Sequence, residues 1–522
     1  MKRRLLILLL MTPVTMAFAA HAEAPIKTQW GTVSEPHYPR HICATLSADI
    51  ESAALASHEE DGDTHPDTAR IQQAIDACPS GAVKLVTASG NDAFLSGPIT
   101  LKSNVVLWID KGATLYASRD PADYDKGPGD CGIANSSSVK SCRSLIEGTD
   151  LVDSGLMGEG RIDGQGGSLL LSGPNAGKRS WWDVAYQSKQ GLTQHNFRLV
   201  QIDGGQNFTL YKLTFANSPN FHIVPQNMTG ITAWGIKILT PTANYTQPNY
   251  ACPEGTTPDK LTPATCFTPE TVKNTDGFDP AQSSNVLLAY SYISTGDDNV
   301  AIKSKGDRRS QNHTYARNWF YYGHGMSLGS ETDSGMDNII VTDLVMDGMD
   351  STGGNGLRIK SDSSRGGKVT RVTFDGVCMR NMRNPIVLDT AYSEKTGALI
   401  PDFAGVTIRN FRYTGSARFN GGRVVFRGYD AGHPLKIELD NIKFDGPQPV
   451  ITGSHDPDSL ELPKFTQFRL WMSPISFADQ LHDSDDVKVL RVVADHMDIN
   501  QTPRNCHGSF KPLRSVIADS PF

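Results

Sequence analysis

The sequence predicts an all-β protein wound as a single-stranded parallel β-helix with a short N-terminal capping helix, and three observations carry that prediction. Apolar residues two apart recur at short, uneven intervals, polar turns rich in Asn, Asp and Gly separate them, and no long helical pattern lies between them. The pairs are Phe221/Ile223, Val300/Ile302, Met326/Leu328, Leu357/Ile359 and Ile386/Leu388. A separation of two puts both side chains on one strand face.

From 300 to 326, 326 to 357 and 357 to 386 the steps are 26, 31 and 29, and Phe278 precedes Val300 by 22. Uneven steps suit a solenoid whose coils stack about 4.8 Å apart while loops of different length leave a constant core. Strands alternating with helices would need a helical pattern between them, and 278 to 390 offers none. One helix is expected at Thr68 to Cys78, with Ile71, Ala74 and Ile75 on one side, capping the open N-terminal end.

The chain divides into three parts. Residues 1–22 read as a signal peptide: a basic Met1-Lys2-Arg3-Arg4, an apolar Leu5 to Met11, and Ala20-His21-Ala22 before cleavage at Glu23. The apolar run is too short to span a bilayer, so the mature protein is expected to be secreted and free of the membrane. Residues 23–445 are expected to form a single β-helix domain, the one that would carry any active site. In 446–522 the prolines 447, 449, 457, 463, 474, 503 and 512 interrupt the repeat, which reads as a C-terminal extension packed on or near the last coils.

The net charge of -7 argues against a nucleic-acid partner. It would not attract an acidic polymer either, so any basic groups that bind one must be local. Eight cysteines in an exported chain make disulfides plausible. Short separations suggest Cys131–Cys142 and Cys252–Cys266, and the predicted helix suggests Cys43–Cys78. Cys378 and Cys506 are left over, with a buried free thiol at Cys378 as reasonable as a bridge.

The polar residues give the repeat its chemistry. Asp276 lies two before Phe278, Asp298 two before Val300 and His324 two before Met326, so three coils present Asp, Asp and His at one position. Asp297 adds a third carboxylate. On the next coil Arg358 and Lys360 flank Ile359 and point together away from the core. Carboxylates crowded this way raise one another's proton affinity, so one tends to stay protonated as an acid while another activates water. Two other uses of such oxygens are a structural Asp/Asn ladder at turns and a calcium site. His324 and the paired cations speak against both.

At these residues the chain resembles a known family. Asn274-Thr275-Asp276-Gly277, Gly296-Asp297-Asp298-Asn299, Gly323-His324-Gly325 and Arg358-Ile359-Lys360 resemble the four signature motifs of the polygalacturonases, family 28 of the glycoside hydrolases, in the family's order. The resemblance runs from about Cys43 to Lys443 and is nearest to bacterial endo-acting members, in phrases such as Ser218-Pro219-Asn220-Phe221-His222 and Pro385 to Tyr392.

It implies a right-handed β-helix that cleaves α-1,4 bonds of polygalacturonate with inversion. Asp297 would protonate the leaving oxygen, with His324 supporting it, while Asp276 and Asp298 position and deprotonate water. Arg358 and Lys360 would hold a sugar carboxylate. Tyr392 matches a tyrosine of the substrate cleft, and Asn274 matches a substrate-side residue, with a turn-forming role equally open. No cofactor and no metal are implied, and a monomer is expected. The rivals are an exo-acting enzyme, a pectate lyase on the same fold, and a non-catalytic surface-binding protein.

Overall fold

The computed structural model describes residues 23–137, 142–187, 191–259, 263–393, 395–492 and 502–522. The expected signal peptide lies outside the described residues. Among them no helix is long and apolar enough to cross a membrane.

Strands dominate, and nearly all pair in parallel with the strand one coil away. One face of the solenoid stacks Val300–Ile302, Met326–Gly329, Asn355–Lys360, Asn384–Asp389, Arg423–Arg427 and Val450–Thr452. Their register joins Val300, Met326, Leu357, Ile386, Val424 and Ile451 in one column, and single parallel bridges extend it through Phe278 to Ile223. Ile223 pairs in turn with Val200, and Val200 with Ile146. Column members from Ile146 to Val424 are fully or almost fully buried in one continuous core that runs from Ala48 to Val487. Burying such a row of aliphatic side chains, at roughly 1.5–3 kcal/mol each, fixes the register of every coil.

The expected pairs therefore align as read, with one shift. Ile223, and not Phe221, occupies the column of Phe278 and Val300. Phe221 is half-buried and sits two places earlier, outside the continuous core.

Between strands the chain turns at repeated places. At one corner Gly158, Lys212, Gly235, Tyr290, Arg317, Asp343, Gly376, Asn410 and Asn441 each follow paired residues and each have positive φ. At another, Asn207, Gly230, Asn285, Asn312, Asn338 and Arg371 do the same. Left-handed backbone is cheap for Gly and tolerable for Asn and Asp, so these types recur without filling every place. Side-chain amides link neighbouring coils, as from Asn338 to Asn312 at 2.8 Å and from Asn441 to Asn410 at 3.0 Å.

The helix Thr68–Ala77 forms as read, with Ile71 and Ile75 buried, and packs against Ile42–Ser47, Gly81–Val86 and Ile99–Thr100. At the other end the repeat runs beyond 445. Val450–Thr452, Thr466–Leu470 and Val487–Arg491 each add parallel rungs, their period hidden in the sequence by proline-bearing loops.

The last described stretch, 502–522, does not stay on these final coils. It runs back along the outside: Asn441 donates to Thr502 O at 2.8 Å, Arg504 meets Asp343 at 2.7 Å, Trp319 donates to Ser509 O at 3.0 Å, and Arg161 holds Asp519 through two bonds of 2.6 Å. Cys43–Cys78, Cys131–Cys142 and Cys252–Cys266 are bridged as expected, and Cys378 is bridged to Cys506 rather than free. Cys378 is inside an apolar strand, but the returning strap brings Cys506 to it.

Candidate active site

The shared register places Asp276, Asp298 and His324 two residues ahead of Phe278, Val300 and Met326 on consecutive coils. Glycines let those turns approach. At Gly325, with φ +94°, a Cβ would lie 2.2 Å from Gly356 O, and at Gly277 one would lie 2.5 Å from Asn299 O. Asn299 fastens the histidine turn, donating to Tyr322 O at 2.8 Å and accepting from Gly325 N at 3.2 Å. Below the acids, buried His222 bonds the Asp276 carbonyl at 2.9 Å and Thr240 Oγ1 at 2.8 Å.

Each acid has a different set of partners. Asp297 Oδ1 lies 3.0 Å from His324 Nδ1 and accepts the Asp298 N–H at 2.9 Å. Asp298 is buried; its Oδ1 accepts from Ser327 at 2.8 Å, and its Oδ2 meets Lys360 Nζ at 2.7 Å, with Arg358 Nη1 3.5 Å from Oδ1. Asp276 Oδ2 lies 3.6 Å from Lys303 Nζ, and its Oδ1 is buried without a partner.

These surroundings separate the proton affinities. Burial pushes the Asp276 carboxyl well above the usual range, and Asp279 and Asp297 add to it, with Lys303 opposing. Burial also pulls Asp297 upward, but the charge and hydrogen bond of His324, with Lys360 and the Asp298 N–H, outweigh it and hold Asp297 below the usual range. One carboxyl of the trio does favour its proton, and it is Asp276. Asp297 instead faces an imidazole with which it can share one.

Arg358 and Lys360 point to the same place, as read, but neither stands free. Both meet Asp298, because two nearly buried cations need a carboxylate. The Tyr392 ring lies beside both, 5.1 Å from the guanidinium carbon and 5.2 Å from Nζ. Asn274 has φ 56°, the conformation of a turn former, and is half-buried ahead of the acids. Asp297, Asp298 and His324 bring ligand atoms within 4.8 Å of one another, a spacing a metal ion could use. The Lys360 ammonium already supplies positive charge there.

Two functional-looking residues went unread in the sequence. Buried Asp279 accepts from Lys303 Nζ at 2.7 Å, which ties Lys303 to two of the site's carboxylates. The signal was present. Asp279 follows Phe278 by one and Lys303 follows Val300 by three, the same offsets that Arg358 and Lys360 have from Leu357.

Comparison with known proteins bears on this geometry. The model of the family described as glycosyl hydrolases family 28 matches residues 89–455, a span holding the whole cluster. The chain belongs to that family. It is therefore a glycoside hydrolase. Over 533 aligned residues it is 50% identical to a polygalacturonase of Ralstonia nicotianae, covering 99% of this chain and 98% of the relative. It is 39% identical to an endo-polygalacturonase of Pectobacterium carotovorum subsp. carotovorum over 79% of this chain and 89% of that one. Among solved structures, a polygalacturonase from Erwinia carotovora ssp. carotovora superposes with a TM-score of 0.67 at 38% identity, covering 80% of this chain and 96% of that one.

Proposed function

We propose that this family 28 hydrolase is a secreted enzyme that cuts α-1,4 bonds inside polygalacturonate chains by a single, inverting displacement. The observation that carries the reading is the stacked cluster: Asp276, Asp297, Asp298 and His324 with Arg358, Lys360 and Tyr392 on adjoining coils. The endo mode rests on the likeness to the endo-acting relative. A right-handed winding agrees with the near-universal hand of parallel crossovers.

In this reading Asp297 delivers to the leaving oxygen the proton that it shares with His324 across 3.0 Å. Asp276 and Asp298 together position water; Asp298, paired with Lys360, takes its proton, while Asp276, which burial keeps protonated against the pull of Lys303, holds it in place. Arg358 and Lys360 exchange part of their bonding to Asp298 for the carboxylate of a bound galacturonate, beside Tyr392. Asn274 lies on the substrate side. Coil stacking by itself, at about 4.8 Å, suits the narrow carboxyl pairs of retaining enzymes, so inversion rests on the family resemblance.

Digestion of polygalacturonate tests the proposal. Early products should be mixed oligomers with a rapid fall in viscosity, and proton spectra should show the inverted anomer first. Monomer or dimer alone would replace endo by exo action, and first release of the starting anomer would replace inversion by retention.

A further inference from the structure

On the N-terminal side of the acids lies a cleft with a buried cation that the reaction leaves unused, Arg198. Arg198 stands two residues before Val200, at the position that Phe221, Asp276 and Asp298 hold on the following coils. Its Nη1 donates to Gln201, and its Nε is buried with no acceptor. Among the described residues no carboxylate forms an ion pair with it, unlike neighbouring Arg143, which Glu147 holds at 2.7 Å.

Arg198 opens onto a cleft of about 530 Å³ that also takes in Lys126, Arg143, Gln201 and Gln226. The carboxylates of that cleft are engaged elsewhere, Glu147 by Arg143 and Asp203 by Asn227 at 2.8 Å. Between Arg198 and the acids lies the half-buried Phe221 ring, with the guanidinium 5.1 Å and Lys303 Nζ 4.2 Å from its centroid. An apolar ring flanked by cations offers a face for sugar C–H groups and charge for carboxylates.

We propose that Arg198, at the mouth of this cleft, binds the carboxylate of a galacturonate remote from the cleaved bond, with Phe221 as the platform between. The inference rests on the polygalacturonate reading and extends it to a second point of grip. Arg198 is two coils from Asp276, on the order of 10 Å, which a chain of roughly two or three sugars spans. A guanidinium that no carboxylate neutralises, with only Gln201 as a bonding partner, suits the carboxylate of a sugar.

The test measures kcat and KM on polygalacturonate separately, since a grip remote from the cleaved bond is felt in binding and leaves the chemical step alone. In R198A KM should rise about tenfold with kcat kept, and R198K should restore part of the loss. R198Q, which keeps a polar group beside Gln201, carries the same test if R198A melts early. An unchanged KM, or a loss carried by kcat alone, overturns the proposal. A wild type that makes no reducing ends from polygalacturonate would instead sink the hydrolase reading, so the two failures are told apart.

Discussion

The corner columns, from Gly158 to Asn441 and from Asn207 to Arg371, and the acid column from Arg198 to His324 are built by the same stacking and put to opposite uses. At the first corner nine coils share a positive φ, and Gly, Asn, Asp, Lys, Tyr and Arg all fill the place. In the acid column the successive residues Arg198, Phe221, Asp276, Asp298 and His324 share a place in the groove and differ in chemistry. The solenoid supplies repetition. Residue type decides whether a repeated place is a hinge or a reagent, and the difference shows in partners: corner amides bond to their own kind one coil away, whereas the acids face cations and an imidazole.

Substitutions should keep corner and acid columns apart. The largest effect is expected at the proposed acid: Asp297→Asn preserves size, removes the group proposed to donate the proton and should lower turnover by at least roughly a hundredfold, with an unchanged melting temperature. Turnover near wild type would remove Asp297 from the chemistry, and unfolding would make the acid column structural.

The corner side should respond in stability alone. The Cys378–Cys506 bridge closes the longest loop, 128 residues, and holds the strap whose Thr502 and Arg504 grip corner residues Asn441 and Asp343. Replacing both cysteines by Ser should cost about 3–5 kcal/mol, more than opening the 11-residue loop of Cys131–Cys142. Turnover per folded molecule should stay the same. Equal losses of stability for the two bridges in denaturant titrations would contradict the role given to the strap.

Acid should weaken both regions through one buried histidine in each. His222 beneath the acids and His313 beside corner residue Asn312 are held down to about 4 by burial, against which their hydrogen bonds act less. An unfolded histidine titrates near 6.5, so below that pH the unfolded chain takes up a proton that the folded one refuses. Stability should be full above about pH 6.5 and fall as pH drops towards 4, by up to about 3 kcal/mol for each histidine. Buried carboxyls such as Asp276 act in the opposite sense, so urea titrations at pH 7 and 4.5 compare the protein with His313→Gln: the variant should lose about 2–3 kcal/mol less on acidification, and an identical pH dependence would contradict the role given to the histidine. Smallest is Asn338→Ala, which loses the 2.8 Å bond to Asn312 and strains a left-handed position. It should cost about 1–2 kcal/mol with kcat unaltered.

Much of this was legible in the sequence because a strand's period of two ties chemistry to the core. Once Phe278, Val300 and Met326 were matched, Asp276, Asp298 and His324 had to stack. Lys303 and Asp279 obey the same offsets and went unread because neither stands in a conspicuous motif. The strap was hidden for a different reason. Its contacts join residues more than a hundred positions apart, such as Cys506 with Cys378 and Asp519 with Arg161, and no local period announces them. Nor could spacing show that Arg358 and Lys360 are already bound to Asp298, since that depends on how deeply their ends are buried.

The central claim is that the acid column hydrolyses galacturonan. It is tested most directly by following new reducing ends and ultraviolet absorbance together as the protein digests polygalacturonate in the presence of a chelator. The account predicts reducing ends without an ultraviolet-absorbing product, at a rate the chelator leaves unchanged. An unsaturated, absorbing product, or activity abolished by the chelator, would mean that the stacked acids serve elimination around a bound cation and that the hydrolytic roles given to Asp276, Asp297 and Asp298 are wrong.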